Sequence, residues 1–194
     1  MIHDAGIAAV LIATSFFPNG QGILTQLTPV GAAANWDCVN EPVANDLADY
    51  VESPGVDGVV LTDLYEVRVA KGLRGHIQSV ELSLRMQAVD LIPFPFTSTA
   101  VEMVVADGAM ISEGLAIFVP INGIWTDSSV VLPNNPITKN LWRKEELNRM
   151  QFGLRVHASS EQQARITRLA VSVNTTDPND RIPGRAFQRW DRTN

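Results

Sequence analysis

The side chains most able to do chemistry lie scattered along this sequence. Its three histidines, His3, His76 and His157, are far apart, and none has the His-x-x-x-His or His-Glu spacing that zinc sites use. His157 falls on the polar face of an alternating run, so a solvated side chain is expected there. The single cysteine, Cys38, has no second thiol for an intrachain disulfide and no local signature of a nucleophile. It reads as a small apolar filler. No Gly-x-Ser-x-Gly elbow occurs. Gly20-Gln21-Gly22 lacks the third glycine and the Lys-Ser or Lys-Thr of a phosphate-binding loop, so it reads as a flexible turn.

Carboxylates cluster in Glu41, Asp46, Asp49, Glu52, Asp57 and Asp63. Glycoside hydrolysis needs a carboxylate pair, but any acidic loop offers one. A solvated loop is the expectation, with a calcium site as the alternative. Asp177-Pro178-Asn179-Asp180 lacks the spacing of an EF-hand loop and reads as a polar turn. Arg181, Arg185, Arg189 and Arg192 would form one basic stripe on a helix, but Pro183 and Gly184 interrupt it, and Asp180 and Asp191 dilute the charge. Protein contact, not nucleic acid, is expected there. The four tryptophans are Trp36, Trp125, Trp142 and Trp190. Core or interface packing is their first reading, because rings of this size bury a large area. Exposed rings on a β-sandwich also stack on sugars, and Trp125 with Asn122 and Asp127 is the candidate glycan contact.

The elements that must position these residues are mostly strands. Val80 to Met86, Phe152 to His157 and Leu169 to Val173 alternate apolar and polar residues, and Val101 to Val105 comes close. Leu61 to Val69 reads as another strand, with Glu66 and Arg68 facing out. Leu115 to Val119 is continuously apolar, the pattern of a strand buried on both faces. Asp57-Gly58, Asp107-Gly108, Glu113-Gly114 and Asn122-Gly123 supply tight turns between the runs. One short helix is expected from about Leu141 to Met150, with Asn140 as N-cap and Leu147 and Met150 packed on a sheet. The fold class predicted is all-β, a jelly-roll-like β-sandwich.

Bulk properties agree with one globular domain. The chain has 194 residues, 45% hydrophobic and 19% charged, with a formal net charge of −6. A global basic field for nucleic acid is therefore absent. The apolar run Ile7 to Ala13 has no basic residues ahead of it that a signal peptide would need, and it is too short to span a bilayer. The expected division is residues 1–35 as an N-terminal arm and first strands, 36–174 as the sandwich core, and 175–194 as a C-terminal arm. Ile7, Val10, Leu11, Phe16, Phe17, Arg181, Arg185, Phe187, Arg189 and Trp190 are the candidate interface residues, because apolar side chains in otherwise polar or small-residue ends need a pocket on a neighbour.

Two segments carry a family likeness. The first is Asn35-Trp36-Asp37-Cys38-Val39-Asn40-Glu41-Pro42, followed by Asp46, Tyr50-Val51 and Asp63-Leu64-Tyr65. The second is Asn135-Pro136-Ile137-Thr138, then Trp142, Glu146-Leu147-Asn148 and Gln151-Phe152-Gly153-Leu154-Arg155-Val156. In order and spacing these resemble a family of tailed-phage virion structural proteins, with Ile77 to Met86 similar to its central strand. The likeness covers residues 20–175. The chain departs from the pattern at Asn40, where the family has an acidic residue, at Cys38, and in its long tail after Val173. The resemblance implies a jelly-roll sandwich with no catalysis, no cofactor and no metal. It implies a capsid decoration (cement) protein on the outer shell, a homotrimer that contacts the major capsid protein or another virion protein. A tail or fibre component that binds host-surface glycans is the alternative. Neither a membrane nor direct nucleic acid contact is expected.

Overall fold

The structure is a computed structural model that describes residues 11–46, 48–69, 73–91, 98–120 and 123–176. In chain order the strands are β1 (Leu11–Phe16), β2 (Gly20–Thr25), β3 (Thr28–Val30), β4 (Tyr50–Glu52), β5 (Val60–Glu66), β6 (Ile77–Asp90), β7 (Ser98–Asp107), β8 (Met110–Ile111), β9 (Leu115–Pro120), β10 (Thr126–Leu132), β11 (Gln151–His157) and β12 (Gln162–Thr176). A 3₁₀ turn at Asn35–Cys38 and one helical turn, α1 (Lys144–Leu147), complete the list.

The strands form two antiparallel sheets. The first runs β10-β6-β12-β4-β3, with β1 sharing the β4 side of β12. The second runs β2-β5-β11-β7-β8, with β9 sharing the β8 side of β7. Within them, β4-β12-β6-β10 faces β5-β11-β7-β9, and from β4 to β7 and again from β9 to β12 successive strands change sheets. That order is a jelly roll. The chain is thus an all-β sandwich, and β1, β2 and β3 of its first 35 residues extend the two sheets.

Period-two patterning explains the long central strands. In β6, Val80, Leu82, Leu84, Met86 and Ala88 are buried, while the residues between them are partly exposed. β12 follows the same rule with one interruption. Ala164 and Ile166 point inward before Thr167, and Leu169, Val171 and Val173 do so after it. A bulge between Ile166 and Arg168 absorbs the change of phase. The interior apolar faces of both sheets join in one core around Tyr65, Phe152, Leu84, Met86 and Leu154.

Three expectations change on contact with the structure. Leu115 to Val119 is not buried on both faces. It forms β9, which pairs only with β7 among the described residues, and Leu115 and Ala116 are exposed. An apolar run has the same appearance at a sheet margin as in a sheet centre, so composition cannot separate them. The strand from Leu61 ends at Glu66 rather than Val69. The helix contracts to α1, a single turn. Its N-cap is Arg143, in extended conformation, and the Glu146 carboxylate accepts the Arg143 backbone N–H at 3.1 Å. Asn140 instead gives its carbonyl to the Asn135 N–H at 2.8 Å. Leu147 and Met150 are buried, as expected.

The chain from Leu132 to α1 is held by side chains. Trp142 is buried, and its Nε1 donates to the Leu132 carbonyl at 2.9 Å. Asn135 is fully buried, accepts from the Ile137 N–H at 2.9 Å and donates from Nδ2 to Glu146 at 3.2 Å. Trp142→Phe keeps most of the packing and strands the Leu132 carbonyl. The expected loss is about 1–2 kcal/mol in urea unfolding. A change within error of zero would show that water replaces the indole.

Candidate functional site

The outer face of the first sheet gathers a set of ion-paired and aromatic side chains. Its register explains why. Arg85 on β6 lies opposite Asp127 on β10 and opposite Arg168 on β12. Two arginines side by side on one sheet face repel unless an anion joins them. Asp127 does so, with Oδ2 2.8 Å from Arg85 Nη1 and Oδ1 2.8 Å from Arg168 Nη2. Asp46 takes the other side of Arg85 as a two-point pair, at 2.6 Å to both Nε and Nη2. Asp46 itself adopts φ 37°, in the left-handed region that few non-glycine residues enter.

The bulge in β12 completes the face. Strict alternation would send Arg165 and Arg168 to opposite sides of the sheet. Thr167 is the extra residue, buried, with its hydroxyl donating to the Asp49 carbonyl at 3.0 Å. Both arginines therefore lie on the outer side. The Arg165 guanidinium sits 5.0 Å from the centre of the Tyr50 ring, and its Nε lies 3.3 Å from Glu52. The Tyr50 and Trp125 rings meet with centroids 6.3 Å apart at an angle of 60°. Both side chains are half-exposed. Gln87 donates to the Gly123 carbonyl beside them. Among the described residues, Trp125 Nε1 and Arg168 Nε are covered and have no hydrogen-bond acceptor, and Arg165 Nε meets Glu52 as an ion pair without hydrogen-bond geometry.

Ion pairing sets the electrostatics here. The hydrogen bond from Arg85 holds the Asp46 carboxyl below its ordinary range, and this outweighs the opposing effect of burial. The same pairing pushes the Arg85 guanidinium further above its ordinary value. A depressed carboxylate adds stability at neutral pH and loses it as pH falls through the folded-state value. The stability advantage of the wild type over Asp46→Asn should therefore hold from neutrality and close below about pH 4, read as melting temperature against pH. An advantage independent of pH would show that the charge of Asp46 does not matter.

The clustered carboxylates do not form one solvated loop. Asp63 is fully buried. Its Oδ1 accepts from the Gln26 and Leu27 N–H groups at 2.5 and 2.9 Å, and its Oδ2 from Asn35 Nδ2 and Tyr65 OH at 2.6 and 3.0 Å. Asp57 accepts from the Ser160 N–H and hydroxyl at 2.7 and 2.6 Å, and these bonds hold its carboxyl low. Glu41 accepts from Asn45 at 3.0 Å, and desolvation leads the causes that raise its carboxyl. Among the described residues no group of three or more His, Cys, Asp or Glu side chains could hold a metal ion. His157 is not simply solvated. It lies 3.0 Å from Glu102, whose other oxygen takes Arg155 at 3.0 Å. Burial acts most strongly on Glu102 and raises its carboxyl, yet the two partners together hold it below its ordinary range. Cys38 is a buried filler, and desolvation raises its thiol.

Of the glycan-contact candidates, Trp125 and Asp127 come together on the outer face, and Asn122 lies outside the described residues. Among the interface candidates, Leu11 is exposed on β1, and Phe16 and Phe17 are half-buried, with Phe16 packed against the core. Ile7, Val10, Arg181, Arg185, Phe187, Arg189 and Trp190 lie outside the described residues. Tyr50, Arg85, Arg165 and Arg168 were not among the candidates. Arg85 occupies a polar position in a clear alternation, which is a usable signal. Nothing local reveals that β4 and β12 bring Tyr50 and Arg165 beside it.

No helix among the described residues is long and apolar enough to cross a membrane. No family model matches the chain, and no curated protein does. Solved structures similar to it include an arabinose-bound GH51 α-L-arabinofuranosidase, at 13% identity and TM-score 0.46, over 81% of this chain. This chain spans only 23% of that enzyme's length. A CBM61 in complex with β-1,4-galactotriose matches at 11% identity and TM-score 0.41, over 83% of this chain and 86% of that one. The family 11 carbohydrate-binding module of a cellulosomal cellulase of Clostridium thermocellum matches at 9% identity and TM-score 0.38, over 90% and 91% of the two chains.

Proposed function

We propose that this chain is a non-catalytic structural protein of a tailed-phage particle, a decoration protein that sits on the outer shell as a homotrimer and binds the major capsid protein. One observation carries the reading. Several polar residues in the family-like segments work inside the fold. Asn35, Asp63 and Tyr65 tie the first strands to β5, and Asn135, Trp142 and Glu146 tie the chain between β10 and α1. Their use as internal ties supports a role for these segments in shape rather than in a reaction.

A protein that binds only the assembled lattice stabilises it by mass action. Chain ends that order on a neighbour serve this purpose, since they bury much surface per residue and can add strands to a sheet margin. The test adds purified protein to particles that lack it. The temperature at which the shell opens should rise with protein concentration. A chain ending at Thr176, where β12 ends, should keep its own melting temperature and lose much of this effect. No rise with the full-length protein would refute the decoration role, and unfolding of the shortened chain would place the tail in the core.

A further inference from the structure

We propose that the outer face of the first sheet around Tyr50 and Trp125 is a binding surface for a neutral saccharide chain. The inference goes beyond the decoration role and does not depend on it. Sugar rings offer two kinds of surface, an apolar C–H face and a rim of hydroxyls. The first needs an aromatic ring, and the second needs planar donors and acceptors close by. This face supplies both. Tyr50 and Trp125 present two half-exposed rings tilted at 60°. Arg165 stacks on Tyr50, and Gln87 and Asp127 flank Trp125.

Charge decides the class of sugar. The ion pairs on this face join three arginines, Arg85, Arg165 and Arg168, to three carboxylates, Asp46, Glu52 and Asp127. The sum is zero, so an anionic glycan gains little. The same balance disfavours nucleic acid, which stacks on aromatic rings but needs free cations for its phosphates. A second protein chain fits less well, because among the described residues only Ile124 and Val131 are exposed aliphatic side chains next to Trp125 or on β10, while Leu11, Ile12, Ile23, Met110 and Leu115 lie on other strands.

The test is affinity electrophoresis of the full-length protein through gels containing a soluble β-glucan, a galactan or a mannan, with polygalacturonate as the acidic control. At least one neutral polysaccharide should retard the protein. Trp125→Ala and Tyr50→Ala should each weaken retardation about tenfold. Arg165→Met, which keeps the aliphatic stem, serves as a further variant should an aromatic one fail to fold, and it should weaken retardation too. Val131→Ala, on β10 away from the rings, should bind as wild type. Melting curves establish that each variant is folded. No retardation by any neutral polysaccharide overturns the proposal, as does retardation by polygalacturonate alone, or folded Trp125→Ala and Tyr50→Ala variants that bind as wild type. The decoration role is read separately from shell opening, so either idea can fail without the other.

Discussion

Asp63→Leu should destabilise the protein by about 4 kcal/mol or more in urea unfolding, enough to leave much of the chain unfolded. Asp63 is fully buried and accepts four hydrogen bonds, from Gln26, Leu27, Asn35 and Tyr65. Leucine is close in size but accepts none of them. Two backbone N–H groups, an amide and a phenol would then be buried without partners, each costing about 1–3 kcal/mol before relaxation. These donors belong to the chain after β2, to the 3₁₀ turn and to β5, so three separate segments lose their common anchor. Asp63→Asn keeps one acceptor oxygen and should lose less. A loss below about 1 kcal/mol for leucine would mean that water enters and replaces the carboxylate.

Gly153→Ala should cost at least about 3 kcal/mol, although it adds a single methyl group. A Cβ at Gly153 would lie 1.9 Å from the Asp63 carbonyl oxygen and 3.0 Å from the Leu64 Cα. Both are backbone atoms of β5, which pairs with β11 along its full length, while β7 pairs on the other side. Neither neighbour can withdraw without breaking a ladder. Gly58 is the useful contrast. It has φ +72° and nothing within 4 Å, so alanine there meets only backbone strain, about 1 kcal/mol. Equal losses at the two positions in denaturant titrations would refute the close-approach argument.

Parts of this architecture are legible in the sequence because they are local. Alternation in Val80 to Met86 and Phe152 to His157 reflects strands with one buried face, and these became β6 and β11. Asp107-Gly108 marks the β7–β8 turn, where Gly108 has φ +59°. The rest depends on long-range pairing. The bulge at Thr167 leaves no trace in composition, yet it determines that Arg165 and Arg168 share a face. The depth of Asp63 follows from donors nearly forty positions away, at Gln26 and Leu27, which no spacing rule connects to it. The helix shortened because Asn135, Glu146 and Trp142 satisfy the local backbone through side-chain bonds rather than helical ones. Trp125 and Asp127 could be picked out together since both lie near the start of β10, but Tyr50 reaches them only after β4 docks on β12.

The most direct measurement is an image reconstruction of the phage particle proposed to carry this chain. The fold and the proposed role together require a jelly-roll density of this size on the outer shell, repeated in clusters of three and touching the capsid lattice. Well-resolved particles with no such density, formed while the protein stays free in solution, would contradict the account.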